Sequence, residues 1–167
     1  MKKLFTFSVL MALFCAVALS SCDSAVEDPE MEVTTEDYYY ALSNTLDGVS
    51  SDEILQFADI SVDYKDANGD VQTASVTSLP WMGKIEGVTP PFTLLMSITL
   101  TKKEDFTPEN DTCTFIFGHE FYSETSLAFG YPLYSMVSED EVAVDKLDDY
   151  IELLNDIYES CTYSISE

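Results

Sequence analysis

Arginine is absent from this 167-residue chain: its seven basic residues are all lysines, against 31 acidic residues. The formal net charge at pH 7 is −24. Without arginine the chain cannot form the bidentate clamp that often binds phosphate or carboxylate groups. Nucleic acid is not expected as a partner, because phosphate binding needs Lys and Arg side chains. The negative charge indicates solubility and self-repulsion.

Histidine is nearly absent as well, since His119 is the only one. The stretch from His119 begins like the zinc motif H-E-x-x-H, but Ser123 stands where the second histidine is needed. Neither the G-x-S-x-G motif nor a P-loop occurs. We therefore expect no enzymatic activity, no metal and no cofactor. Between Phe117 and Phe121 on an apolar strand face, His119 is interpreted as a core or rim histidine.

Long apolar runs are missing except at the N-terminus, where Leu4–Leu19 is apolar apart from Thr6 and Ser8. As a helix this run is about 24 Å long, short of a hydrocarbon core of roughly 30 Å. Lysines precede it and small residues follow it, which is the three-part pattern of a secretory signal. An N-terminal membrane anchor that stays attached is the alternative.

The four residues Leu19-Ser20-Ser21-Cys22 follow this run. They resemble the lipobox of bacterial lipoproteins, and the acidic residues after Cys22 are similar to those of Bacteroidota lipoproteins that reach the cell surface. The resemblance implies cleavage before Cys22, a diacylglycerol thioether on its sulfur and acylation of the new amine. Two or more acyl chains hold a protein firmly on a bilayer. An ordinary secretory signal with a chance cysteine is the alternative.

This resemblance implies a protein anchored by lipid in the outer membrane, facing the periplasm or exposed at the cell surface. It divides the chain into a signal peptide (1–21), the lipidated cysteine with an acidic tether (22–34) and a single β-rich domain (35–167). A domain of this length can bury a core of its own.

Cysteine is scarce in the mature chain. Cys15 leaves with the signal and Cys22 carries lipid, so Cys113 and Cys161 remain, in a compartment that permits disulfides. Strand parity places Cys113 on the core side, and helical spacing does the same for Cys161. We predict a disulfide between them, with two buried free thiols as the alternative.

Strand patterns dominate residues 35–137, and one hairpin can be predicted in detail. A three-residue loop at Ala67–Gly69 sets Val62 opposite Ala74 and Ile60 opposite Val76, with apolar residues on one face. Asp66, Asn68 and Asp70 alternate as in a calcium loop, but the glycine and glutamate positions of an EF-hand are not met. Further strands are predicted at Asp37–Leu42, Trp81–Glu86, Phe92–Lys102, Cys113–Phe121 and Leu127–Tyr134.

A helix is predicted over residues 138–160, beginning with a capping box formed by Ser138 and Glu141. Its apolar residues follow helical spacing, and Thr162–Ser166 adds an edge strand. Many short strands with one late helix favour an immunoglobulin-like β-sandwich with a C-terminal amphipathic helix. A small lipocalin-like β-barrel is the alternative.

Aromatic residues in or near loops are the best functional candidates. Trp81, Tyr122, Tyr131 and Tyr134 could stack on a sugar or contact a partner, although core and edge packing would also explain them. We expect a non-enzymatic module of the cell envelope that binds a partner protein or a glycan. The alternative function is a lipocalin-like carrier of a small apolar ligand. A third is a hydrolase, which would need His119 or a carboxylate pair in a deep cleft.

Overall fold

Ten strands and three short helices make up the part of the chain that the structure, a computed structural model, describes: residues 34–166. The strands are β1 Glu36–Ser43, β2 Thr45–Leu46, β3 Val49–Ser50, β4 Ala58–Lys65, β5 Val71–Val76, β6 Trp81–Val88, β7 Phe92–Lys102, β8 Thr112–Ser123, β9 Tyr134–Ala143 and β10 Cys161–Ile165. The helices are α1 Glu53–Phe57, α2 Glu124–Phe129 and α3 Leu147–Tyr158, and a 3-10 turn at Val144–Lys146 precedes α3. The predicted signal peptide and Cys22 lie outside the described residues.

Two antiparallel sheets of four strands pack face to face. The first sheet has the order β6-β1-β8-β9 and the second has the order β10-β7-β4-β5, while β2 and β3 form a small hairpin. No strand is shared between the two sheets, so the described residues form an open sandwich and not the lipocalin-like alternative. The prediction of a β-sandwich with one C-terminal helix is confirmed.

The core follows the alternation that the sequence predicts for β7. Leu94, Met96, Ile98 and Leu100 point inward and are each at most 2% exposed. Leu95, Ser97 and Thr99, which alternate with them, are less buried. The predicted hairpin is also confirmed, because Val62 pairs with Ala74 and Ile60 with Val76. Its apolar pattern selects this register, since a slip by one residue would turn the strand over.

The hairpin turn uses the three acidic and amide residues that resembled a calcium loop. Gly69 has a φ of 85° and donates its N–H to Asp66 O at 3.0 Å. The Asp66 carboxylate accepts hydrogen bonds from the N–H groups of Asn68 at 2.9 Å and Asp70 at 3.0 Å. These residues therefore serve the turn itself.

The start of the C-terminal helix was predicted wrongly. Residues up to Ala143 belong to β9. This strand pairs with β8 over ten positions, from Tyr134 opposite Phe121 to Ala143 opposite Thr112. Ser138 lies opposite Phe117 and donates its hydroxyl to Asp140, so no capping box forms. The long strand β8 needs a partner for its backbone groups, and this tertiary pairing overrides the local helical signal.

The strand predicted at Leu127–Tyr134 is also wrong. The helix α2 occupies its first half and begins with a capping box between Ser123 and Ser126. At its end Gly130 adopts the left-handed conformation, with a φ of 72°. The N–H of Gly130 donates to Leu127 O and that of Tyr131 to Ser126 O, both at 3.0 Å. This is the Schellman arrangement, which ends a helix and fixes the direction of the chain beyond it.

The predicted disulfide is not formed, and both cysteines are buried free thiols. Cys161 Sγ contacts the carbonyl of Tyr158, whose ring packs against the rings of Phe117 and His119. Cys113 lies on β8 four residues before Phe117 and six before His119. At roughly 3.3 Å per residue these separations correspond to about 13 to 20 Å. A disulfide needs Cα atoms less than about 7 Å apart.

The strand β7 is longer than either of its partners. It pairs with β10 over residues 92–96 and with β4 over residues 96–102. At the last residue of β4, the buried hydroxyl of Tyr40 reaches across from the first sheet, donates to Lys65 O at 2.9 Å and accepts from Leu95 N at 3.1 Å. The hydroxyl therefore links Lys65 and Leu95, the residue pair that follows Tyr64 and Met96 in the β4–β7 register.

A second side chain provides hydrogen-bond partners for backbone groups of β7, at a position beyond the end of β10. The amide of Asn155 on α3 accepts from Leu100 N at 2.8 Å and donates to Leu100 O at 3.0 Å. The helix is held there beside the second sheet. Its inner face reaches the first sheet, where Tyr150 stacks on Phe115 at a centroid distance of 5.3 Å. The helix α3 thus closes one open side of the sandwich.

Replacing Tyr40 with phenylalanine should destabilise the domain strongly. Both Lys65 O and Leu95 N would lose their partner in the interior, which costs about 2 to 4 kcal/mol of unfolding free energy. Tyr39→Phe is the matched control on the outer face of the same strand, with an expected change within about 0.5 kcal/mol. Urea unfolding measures both, and equal values for the two variants would contradict the role given to Tyr40.

Candidate functional site

The four aromatic residues predicted as ligand contacts do not form one site. Trp81 lies at one edge of the first sheet and packs against Tyr64, with 5.8 Å between ring centroids. Tyr122 is half-buried on the strand β8 and donates its hydroxyl to Glu120 at 2.9 Å. Tyr134 starts the opposite edge strand and Tyr131 is 74% exposed in the preceding loop. Each aromatic side chain therefore has its own surroundings.

The Trp81 side chain packs against other residues and does not project freely into solvent. A Cβ built on Gly83, two residues further along β6, would lie 2.8 Å from the Trp81 ring and 3.3 Å from the Tyr64 ring. Only a glycine leaves room for both rings at this point. Trp81 and Tyr64 thus fill the side of the sandwich that lies between β6 and the β4–β5 hairpin.

A polar cleft of about 420 Å³ lies beside these rings. The hairpin turn and β5 form one wall, and β6 forms the other. The sequence offered no direct signal for it, because its residues come from the β4–β5 hairpin and from β6, which belong to different sheets and are brought together only by the fold. They are Tyr64, Asp66, Ala67, Asn68, Gln72, Lys84, Ile85 and Glu86.

The turn wall of the cleft is held rigidly by Asp66. Gln72 Nε2 donates to Asp66 Oδ2 at 3.1 Å, in addition to the two turn N–H groups. Desolvation raises the pKa of Asp66, but the hydrogen bonds from Asn68, Asp70 and Gln72 outweigh it, so the pKa is lowered overall. Asp66 is therefore ionised at neutral pH, and the side-chain amides of Asn68 and Gln72 lie beside a fixed negative charge.

The β6 wall carries the one cation of the cleft. Lys84 Nζ lies 2.8 Å from Asp37 Oδ2 and 2.8 Å from Glu86 Oε1. The hydrogen bond to Asp37, followed by that to Glu86, raises the pKa of Lys84, and the same contact lowers the pKa of Asp37. Because Lys84 is already paired with two carboxylates, the cleft as a whole has a negative charge.

A second cleft of about 310 Å³ lies at the other end of the molecule, between α1 and the loop before β8. Glu53, Gln56 and Phe106 line it, and the buried Cys113 reaches its wall. The carboxylate of Glu53 is already hydrogen-bonded there, because it accepts a hydrogen bond from the N–H of Thr114 at 2.9 Å. Burial raises the pKa of the Cys113 thiol, so this cysteine is poorly suited to act as a nucleophile.

His119 is buried, as the sequence predicted, with only 3% of its surface exposed. Its ring lies between those of Phe121, Tyr134 and Tyr158, at centroid distances of 5.4, 5.5 and 5.7 Å. Within residues 34–166, Nδ1 has no hydrogen-bond partner, and burial lowers the pKa to about 4. A histidine in this position is neutral and out of reach of a substrate.

The interior of the sandwich is filled with large side chains. The rings of Tyr40, Phe115, Phe117, Phe121 and Tyr158 are all at most 2% exposed. None of the helices between residues 34 and 166 has the length and apolar character needed to cross a bilayer. Over the same residues, no three His, Cys, Asp or Glu side chains converge in a way that could hold a metal ion.

Comparison with protein families and with curated proteins finds none that matches this chain.

Acidification should destabilise the domain through His119. The unfolded chain takes up a proton near pH 6.5, while the folded protein resists it down to a pKa of about 4. Stability is then lost as the pH falls through this window, by about 2 to 3 kcal/mol between pH 7 and pH 4.5. His119→Phe removes this contribution, whereas the carboxylates titrate in both proteins. Urea unfolding at the two pH values measures the difference, and equal losses in both proteins would contradict a buried neutral histidine.

Proposed function

We propose that this protein is an outer-membrane lipoprotein, anchored through Cys22, whose sandwich domain is a non-enzymatic module that binds a neutral glycan. The cleft beside β6 carries this proposal. It offers amide donors and acceptors from Asn68 and Gln72, carboxylate acceptors from Asp66 and Glu86, and the half-buried ring of Tyr64. This mixture suits a ligand with many hydroxyl groups and an apolar ring face.

The charge of the cleft limits the class of ligand. Asp66 and Glu86 are both acidic, and Lys84 is already bound by Asp37 and Glu86. An anionic ligand would be repelled, because the cation that lines the cleft is already paired and the chain has no arginine. A neutral sugar needs only hydrogen bonds and stacking, both of which the cleft supplies.

The alternative functions receive less support. A carrier of an apolar ligand needs an enclosed apolar cavity, whereas large aromatic side chains fill the interior and the cleft is mainly polar. A hydrolase built on His119 would need the imidazole within reach of a nucleophile or water. The rings of Phe121, Tyr134 and Tyr158 surround it instead.

Gln72→Ala should weaken glycan binding in the mature protein. The variant removes one hydrogen-bonding amide from the cleft and frees Asp66 Oδ2 from its partner, so we expect about a tenfold loss of affinity. An array of neutral oligosaccharides identifies the ligand, and calorimetry of the mature protein with that oligosaccharide measures the change.

Gln56→Ala is the matched control, because it removes the same side chain from the second cleft. We expect this variant to bind as the unaltered protein does. The proposal fails if no neutral oligosaccharide is retained by the mature protein, or if the two glutamine variants lose affinity equally.

A further inference from the structure

Three large apolar side chains project into solvent between α2 and β9. Phe129 and Tyr131 are each 74% exposed and Leu133 is 36% exposed. They are not on a loose loop. The Schellman bonds around Gly130 fix the chain on one side, and Leu133 donates its N–H to Phe121 O at 2.7 Å on the other. We call Phe129, Tyr131 and Leu133 the apolar tip.

The apolar tip lies in an uncharged part of a very acidic chain. Residues 125–138 contain no acidic or basic side chain, although the whole chain has 31 acids. Exposed aromatic side chains in a stretch of sequence without charged residues are suited to the interface of a bilayer, where an apolar ring can be buried while a tyrosine hydroxyl stays hydrated. The acids elsewhere would be repelled by anionic lipid, which favours a zwitterionic surface.

The tip lies at the end of the sandwich from which the described chain begins. Tyr38, near the start of β1, pairs with Ser123, the last residue of β8, and α2 follows at once and contacts β1. Thr34 therefore enters at the same end as α2. It lies twelve residues after Cys22, and a chain of that length spans at most about 40 Å even when fully extended.

From this placement we propose that the apolar tip inserts into the zwitterionic interface of the bilayer that holds the lipid anchor. The inference rests on the proposed anchor at Cys22. The tip then orients the domain, so that the end with Glu36 and Ser123 faces the membrane. The small β2–β3 hairpin, which follows the other end of β1 about 25 Å away at roughly 3.3 Å per residue, faces away from it.

A single tryptophan placed in the tip tests this orientation. Trp81, the only native tryptophan, is first replaced by phenylalanine. Phe129→Trp is then added to the mature lipidated protein, which is reconstituted into phosphatidylcholine vesicles with or without bromine on the acyl chains. We expect at least a twofold loss of fluorescence with brominated lipid. Tyr131→Trp is the second reporter if the first variant does not fold.

Val49→Trp in the same background is the matched control. Val49 is 58% exposed and belongs to the β2–β3 hairpin at the opposite end, so its fluorescence should not change with brominated lipid. The proposed orientation alone is overturned if the protein floats with the vesicles but shows no quenching at positions 129 and 131. Equal quenching at all positions overturns it as well. Protein that does not float with the vesicles overturns the anchor, and the orientation with it. Shielding of the tip from iodide in native envelopes, without quenching in vesicles, indicates a protein partner and also overturns the proposal.

Discussion

The backbone of β7 is the constraint on which the rest of the sandwich depends. This strand lies in the middle of the second sheet, yet each neighbouring strand covers only part of it. A buried N–H or C=O group without a partner costs about as much as a lost hydrogen bond. The hydroxyl of Tyr40 and the amide of Asn155 provide the missing partners at Leu95 and Leu100. One side chain ties the two sheets together, and the other fixes α3 beside them.

These two side chains also explain why the open sides of the sandwich differ. On one side α3 fills the gap, and Tyr150 and Tyr158 pack against Phe115 and Phe117. On the other side no helix is present among the described residues. The rings of Trp81 and Tyr64 fill the space there only in part, and the polar cleft remains between the turn and β6. The candidate site thus exists because α3 closes one open side of the sandwich, whereas side chains fill the other side only in part.

Residues with a strict local pattern could be predicted from the sequence. The alternation in β7 and the turn chemistry at Gly69 determine their strands, because a slip of one residue would expose the apolar face. The residues after Ser138 could not be predicted in this way. Their charges fit a helix as well as an exposed edge strand, and the pairing with β8 decides between the two. Likewise, the left-handed Gly130 ends α2, and the backbone bonds of Gly130 to Leu127 and of Tyr131 to Ser126 override the strand propensity of the residues nearby.

The candidate site was less accessible to sequence reasoning than the fold. The polar residues of the cleft are common on any surface, and only the approach of the β4–β5 hairpin to β6 brings Gln72 and Lys84 into one cleft. The aromatic candidates were chosen because they fall in or near predicted loops, and the structure places them in four separate surroundings. The apolar tip contains Tyr131, which was among them, but its position near Thr34 depends on the pairing of β1 with β8.

The proposed anchor connects the cleft and the apolar tip to a place in the envelope. A polar site on the domain would be presented to glycans beside the membrane, at a distance that the acidic stretch after Cys22 limits. Cell fractionation of Cys22→Ser, with Cys15→Ser as the control within the apolar run, tests this most directly. The anchor predicts that Cys22→Ser is lost from the outer-membrane fraction while Cys15→Ser stays in it. A Cys22→Ser protein that still sediments with the outer membrane would contradict it.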